Sequence, residues 1–107
     1  MLSNLRHSRA ATDNLMELTE KEGIDVAFIQ EPYINHNRTV RIPKRYRTFT
    51  SSEGRSRTAT IVTNSQIDAL LIKELTDKDS VVLELILGNL QFYMANKYLD
   101  ITEKNRQ

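Results

Sequence analysis

Apolar residues recur along this chain with two periods, and each change of period marks a new element. Ala11, Leu15 and Leu18 stand at i, i+4 and i+7, with Asp13, Glu17, Glu20 and Lys21 elsewhere around the turn, the spacing of one helical face. It predicts a helix over Arg9–Glu22, with Ser8 as N-cap, Gly23 just past the end and Ile24 placed for the apolar contact that accompanies such a cap. From Ile24 to Ile29 the pattern becomes nearly continuous, broken only by Asp25, as in a strand buried on both faces. Residues 30–44 then read as a long loop punctuated by Pro32, Asn35, Asn37 and Pro43. β-Branched and aromatic residues predict strands over Tyr46–Thr50 and Thr58–Thr63, with a turn at Ser51–Arg55 around Gly54.

Further on, Ile67–Leu75 fits a strand or a helical turn, because Ala69, Leu70 and Leu71 suit both. A polar turn follows over Thr76–Ser80. Val81–Leu87 and Leu90–Lys97 flank Gly88-Asn89, which predicts a hairpin with a two-residue loop. Residues 102–107 are polar and add no closing element, and no internal repeat or low-complexity tract is present.

This order of elements places chemistry. Strand, helix, strand predicts two parallel strands joined by a right-handed crossover. The first leads into Asn4 and the second into Gln30-Glu31-Pro32-Tyr33, so Asn4 and Glu31 reach the same sheet edge. A strand that ends in a carboxylate and is stopped at once by proline delivers a charge to the edge where such sheets hold ligands. A strand running from Leu90 brings the Tyr98 phenol there too, if its direction agrees. Carboxylate and amide oxygens are hard ligands that suit Mg²⁺ or Mn²⁺ rather than zinc. A phenol can donate to a phosphate oxygen as charge develops on it. The combination points to phosphoester chemistry. Read singly, Glu31 is equally a strand-end acid, Asn4 a loop residue and Tyr98 a rim packing residue. Arg6, His7 and His36 read as solvated.

Composition narrows the choices. A chain of 107 residues holds one small domain with a modest core. There is no cysteine, which excludes disulfides, a thiolate nucleophile and a cysteine zinc site. Two histidines, His7 and His36, are too few for a zinc cluster. No apolar stretch reaches bilayer length and no signal-peptide core is present, so the expected location is intracellular. Net charge is +1, yet Arg38, Arg41, Lys44, Arg45, Arg47, Arg55 and Arg57 face the single acid Glu53 within one segment. That segment is either a contact for an anionic partner or a solvated basic loop.

The stretch Asn4-Leu5-Arg6-His7-Ser8-Arg9-Ala10-Ala11-Thr12, followed by Asp25-Val26-Ala27-Phe28-Ile29-Gln30-Glu31-Pro32-Tyr33, resembles the opening of the endonuclease domain of non-LTR retrotransposons. That domain belongs to the endonuclease/exonuclease/phosphatase superfamily. Arg57–Val62 resembles its next strand, and Val81–Tyr98 the hairpin that ends in a phosphate-contacting tyrosine. The resemblance implies an α/β fold, a mixed β-sheet with one N-terminal helix, making up about half of a four-layer sandwich. It implies that Glu31 binds a divalent metal, Mg²⁺ or Mn²⁺, that Asn4 helps organise metal and phosphate, and that Tyr98 contacts the scissile phosphate. The activity implied is metal-dependent nicking of target DNA, in the nucleus, in a reading frame that also encodes a reverse transcriptase.

The family's Gly-Asp-x-Asn segment, which orients the attacking water, and its final aspartate–histidine pair do not occur in these 107 residues. Leu99-Asp100-Ile101 follows Tyr98, where many relatives place a proline two positions on. The expectation is therefore that residues 1–107 form the N-terminal half of such a domain, a fragment or decayed copy that does not cleave DNA alone. The alternative is a non-catalytic α/β module that holds nucleic acid or protein through its basic middle segment.

Overall fold

The computed structural model describes residues 1–35, 38–39, 41–50 and 56–98. Strand β1 (Leu2–Asn4) leads into helix α1 (Arg9–Glu22), which returns the chain to β2 (Val26–Gln30). Two short strands, β3 (Ile34–Asn35) and β4 (Arg38–Thr39), precede β5 (Arg47–Thr50) and β6 (Thr58–Val62). After β7 (Asp68–Leu71) and a 3₁₀ turn over Lys73–Leu75 come β8 (Ser80–Leu87) and β9 (Leu90–Lys97).

The helix begins and ends as the sequence predicts. Ser8 Oγ accepts from the Ala11 N–H, and Gly23 closes the last turn at φ 63°, a conformation open to glycine at no steric cost. Its buried stripe is Thr12, Leu15, Met16 and Thr19, rotated from the predicted Ala11–Leu15–Leu18 face and leaving Leu18 exposed. A threonine tolerates that burial when its hydroxyl finds a local acceptor; Thr12 Oγ1 donates to the Ser8 carbonyl at 2.8 Å.

β1 pairs parallel to β2, with Asn4 opposite Gln30. β6 lies antiparallel on the other side of β2 and β5 beyond it, giving the order β1-β2-β6-β5. β7, β8 and β9 form a second, antiparallel sheet. Gly88, at φ 58°, turns the hairpin so that Leu87 pairs with Leu90. Helix, mixed sheet and antiparallel sheet stack as three layers. Leu15 and Met16 pack on Leu5, Ala27, Ile29, Ala59 and Ile61. On the opposite face Val62 meets Ile67, Val81, Leu83 and Leu85, with Val26, Phe49 and Met94 at the margin.

Several expectations change. Beside the mixed sheet, β7, β8 and β9 form a separate sheet that faces it, so the hairpin folds over the mixed sheet instead of extending it. β2 alternates in burial: Ala27 and Ile29 are fully buried under the helix, while Val26, Phe28 and Gln30 are half-buried on the other face. Ile24 and Asp25 precede the strand, since the Ile24 N–H still closes the helix onto the Thr19 carbonyl. The stretch read as one long loop contains the β3–β4 pair. Ile67–Leu75 contains both of its predicted alternatives in succession, a strand and then a 3₁₀ turn. The predicted turn at 51–55, His36, Asn37 and the polar tail lie outside the described residues. Among the described residues no helix is long and apolar enough to cross a membrane.

Candidate functional site

The carboxyl ends of β1 and β2 are locked to each other by backbone bonds. Leu5 N–H donates to the Gln30 carbonyl at 2.9 Å, His7 N–H to the Glu31 carbonyl at 2.9 Å, and Glu31 N–H to the Arg57 carbonyl at 2.8 Å. His7 Nδ1 donates to the Pro32 carbonyl at 3.1 Å, leaving Nε2 as its remaining polar atom. Arg6, His7 and Glu31 hold positive φ values of 49°, 60° and 49°. A non-glycine residue in that region costs about 1–2 kcal/mol. Among the described residues only one other non-glycine residue, Arg41, shares the conformation. Strain gathered at one sheet edge is a common mark of a functional site.

The second sheet delivers its own groups to the same place. Asn96, only 3% exposed, lies on the inward face of β9. Its Nδ2 donates to the carbonyls of Ile29 (3.3 Å) and Ala59 (3.0 Å) and to Thr60 Oγ1 (3.4 Å). Its Oδ1 accepts from Gln30 Nε2 at 2.7 Å. This amide fastens β9 across the ends of β2 and β6. Two residues later, on the same face, Tyr98 Oη donates to Glu31 Oε1 at 3.1 Å. The Tyr98 N–H is held by the Asp79 carbonyl at 2.6 Å. The Arg57 guanidinium stands over the Tyr98 ring at 5.1 Å from its centroid and 3.4 Å from Asp79 Oδ1.

Of the three residues predicted for the site, Glu31 and Tyr98 are thus in direct contact. Asn4 sits beside them on β1, opposite Gln30. Its Oδ1 accepts from the Arg6 N–H at 2.9 Å, and among the described residues no hydrogen bond joins it to Glu31 or Tyr98. With Leu2, Phe28, Gln30, Ala95, Asn96 and Lys97 it lines an open groove of about 450 Å³. Asn96 and Arg57 were not foreseen as parts of the site. The period-2 register of the hairpin carried a signal for Asn96, a polar residue in the inward set two positions before Tyr98.

Within the described part of the basic middle segment, three arginines have partners in the chain. Arg41 holds both oxygens of Asp13 at 2.7 Å, and Arg45 reaches Glu20 at 2.6 Å while standing 4.7 Å over the Tyr46 ring. Arg47 donates to the carbonyls of Asn64 (2.9 Å) and Ile67 (2.5 Å). Helix α1 and the loop before β7 therefore answer these charges within the chain. The side chain of Arg38 and all of Arg55 lie outside the described residues.

Metal chemistry can be judged by the donor set. Among the described residues no three histidines or acids cluster as metal ligands. Mg²⁺ asks for less, since it keeps several waters and takes one or two carboxylates, with phosphate completing its shell. Glu31 keeps Oε2 without a hydrogen bond among the described residues, and the Asn4 amide oxygen is a second hard donor on the adjacent strand end. This set fits a hydrated magnesium or manganese ion.

No family model matches the sequence, and no curated protein matches it. Among solved structures the chain is similar to the endonuclease domain of TRAS1, a telomere-specific non-LTR retrotransposon, with a TM-score of 0.77 and 22% identity. The chain has the fold of part of that endonuclease domain. The likeness covers 92% of this chain and 43% of the other, so these residues span less than half of that structure. The α/β class, the mixed sheet and its N-terminal helix agree with the fold that the sequence resemblance implied.

Proposed function

We propose that residues 1–107 are part of a divalent-metal-dependent DNA endonuclease domain of non-LTR retrotransposon type, and that they hold the metal and the scissile phosphate. The carrying observation is the 3.1 Å contact between Tyr98 Oη and Glu31 Oε1, made by two strand ends from different sheets. The shared fold and the strained edge around Glu31 support the same reading.

Glu31 and the Asn4 amide oxygen would hold Mg²⁺ or Mn²⁺, which supplies Lewis-acid stabilisation and a template for substrate and leaving group. Tyr98, whose O–H donates to Glu31 in this structure, would turn that donor to a phosphate oxygen once the carboxylate holds the ion, and a donor kept close to that place favours the charge that develops there. Arg57, stacked on the ring, and Asn96, on the strand, keep the phenol in position. The groups that orient the attacking water belong, in the family, to the Gly-Asp-x-Asn segment absent from these residues. The chain thus binds and positions, and the parent domain completes hydrolysis of target DNA in the nucleus, fused to a reverse transcriptase.

Titrating Mn²⁺ into ¹⁵N-labelled protein tests the site. Broadening should centre on the amides of Asn4, Arg6, Glu31 and Tyr98 and vanish in Glu31→Gln; diffuse broadening, or broadening unchanged by that substitution, would sink the proposal. Supercoiled plasmid with Mg²⁺ should remain intact. Nicking that Glu31→Ala abolishes would overturn the division of labour, since the 107 residues would then hold a complete site.

A further inference from the structure

A cavity of about 350 Å³, lined by His7, Ser56, Arg57 and Lys78, opens beside the Tyr98–Glu31 pair. Backbone bonds tie its walls to that pair. His7 and Arg57 bind the Glu31 backbone from either side, the Lys78 carbonyl accepts from Arg57 N–H at 3.2 Å, and the next carbonyl, Asp79, holds Tyr98. Ser56 is buried, its Oγ donating to the Thr58 carbonyl at 2.6 Å. The cavity is thus as firmly placed as the site it adjoins.

Its charge differs from that of the rest of the basic segment. Arg41 and Arg45 pair with Asp13 and Glu20, and Arg47 with two carbonyls. The Lys78 side chain is exposed and has no hydrogen bond or ion pair among the described residues. Arg57 meets Asp79 through Nε alone, at 3.4 Å and with both side chains partly exposed. Three acids stand nearby: Asp77 Oδ1 accepts from the Asp79 N–H at 2.8 Å, Asp79 faces Arg57, and Glu31 Oε1 accepts from Tyr98 Oη. The lining thus includes an arginine and a lysine, a planar fork and a point charge that donate well to the non-bridging oxygens of a phosphate.

We propose that this cavity is a second phosphate subsite, which takes the phosphodiester next to the one at Glu31 and Tyr98. The subsite rests on the reading of that pair given above. It makes the chain a reader of nucleic-acid strands rather than of free phosphate or single phosphoesters. Arg57 joins the two positions, because the guanidinium that lines the cavity is the one stacked on the Tyr98 ring.

The test compares inorganic phosphate with a short single-stranded oligothymidylate, each titrated into ¹⁵N-labelled protein without divalent ions. The oligonucleotide should shift the amides of His7, Ser56, Arg57 and Lys78 at concentrations roughly tenfold below those inorganic phosphate needs, since linked phosphates engage linked sites. Lys78→Ala should lower the log–log salt slope of oligonucleotide binding by about 1, and Lys44→Ala, at an exposed lysine away from the cavity, should not. Equal response to the two ligands, or equal loss in the two variants, overturns the subsite. Glu31→Gln separates the two proposals. If the phosphate shifts persist while Mn²⁺ broadening never centres on Glu31, the metal site fails and the phosphate subsite stands.

Discussion

The two faces of the four-stranded sheet are closed by different means. Under helix α1 the centre of the contact is hydrocarbon, with Leu15 and Met16 on Ala27, Ile29, Ala59 and Ile61, and the buried threonines Thr12 and Thr19 flank it. Under the second sheet the hydrocarbon occupies one end, around Val62, Val81, Leu83 and Leu85. At the other end it gives way to Asn96, Gln30 and Thr60, and then to Tyr98 on Glu31. Apolar burial is strong but non-directional, so it joins layers without setting where one atom meets another. A buried amide with several partners sets a distance and a register. The helix face holds the domain together, and the sheet face aims the site.

That contrast can be broken. Ile29→Ala, which empties a fully buried position beneath the helix, should destabilise by about 3 kcal/mol in urea unfolding, while the Mn²⁺ broadening pattern in the remaining folded protein stays centred on Glu31. Asn96→Leu should cost less, about 2 kcal/mol, by removing the amide's hydrogen bonds to Gln30 and to the carbonyls of Ile29 and Ala59. Its larger mark should be on the site, with Tyr98 broadening lost while Glu31 broadening persists. An unaltered Tyr98 response in Asn96→Leu would remove the distinction between the faces.

The smallest effect belongs to the exposed outer surface of α1. The Arg41 guanidinium on Asp13 holds that carboxyl below its ordinary value of 3.8. A carboxyl depressed by folding contributes stability above its unfolded value, and that contribution is lost as pH falls through the folded one. Asp13→Asn should therefore flatten the fall in urea midpoint between about pH 4 and lower values. Added salt should shrink the difference between the two proteins, because both partners are exposed.

Local rules made much of the fold legible. The helix limits followed from Ser8 and Gly23, and the parallel β1–β2 pair from a strand–helix–strand order that admits one hand. The hairpin followed from Gly88-Asn89 between two apolar runs. What failed depended on partners distant in sequence. Leu18 has the same local pattern as Leu15, but the buried stripe turns toward Thr12 and Thr19 because the sheet beneath determines which side of the helix is inner. The arginines of the middle segment look alike in sequence; among the described side chains, acids on α1 answer two, carbonyls near β7 a third, and Arg57 stands at the site.

By itself the sequence determined which residues could meet at an edge. A carboxylate after β2, an amide after β1 and a phenol after β9 are set by strand ends and by the alternation of side chains along each strand. Only the tertiary structure decided that they do meet. The hairpin had to fold over the sheet rather than extend it, and pattern cannot choose between those outcomes, since both bury the same apolar stripe. The choice is recorded in Asn96, whose amide reaches the carbonyls of two strands of the other sheet and so brings Tyr98 onto Glu31.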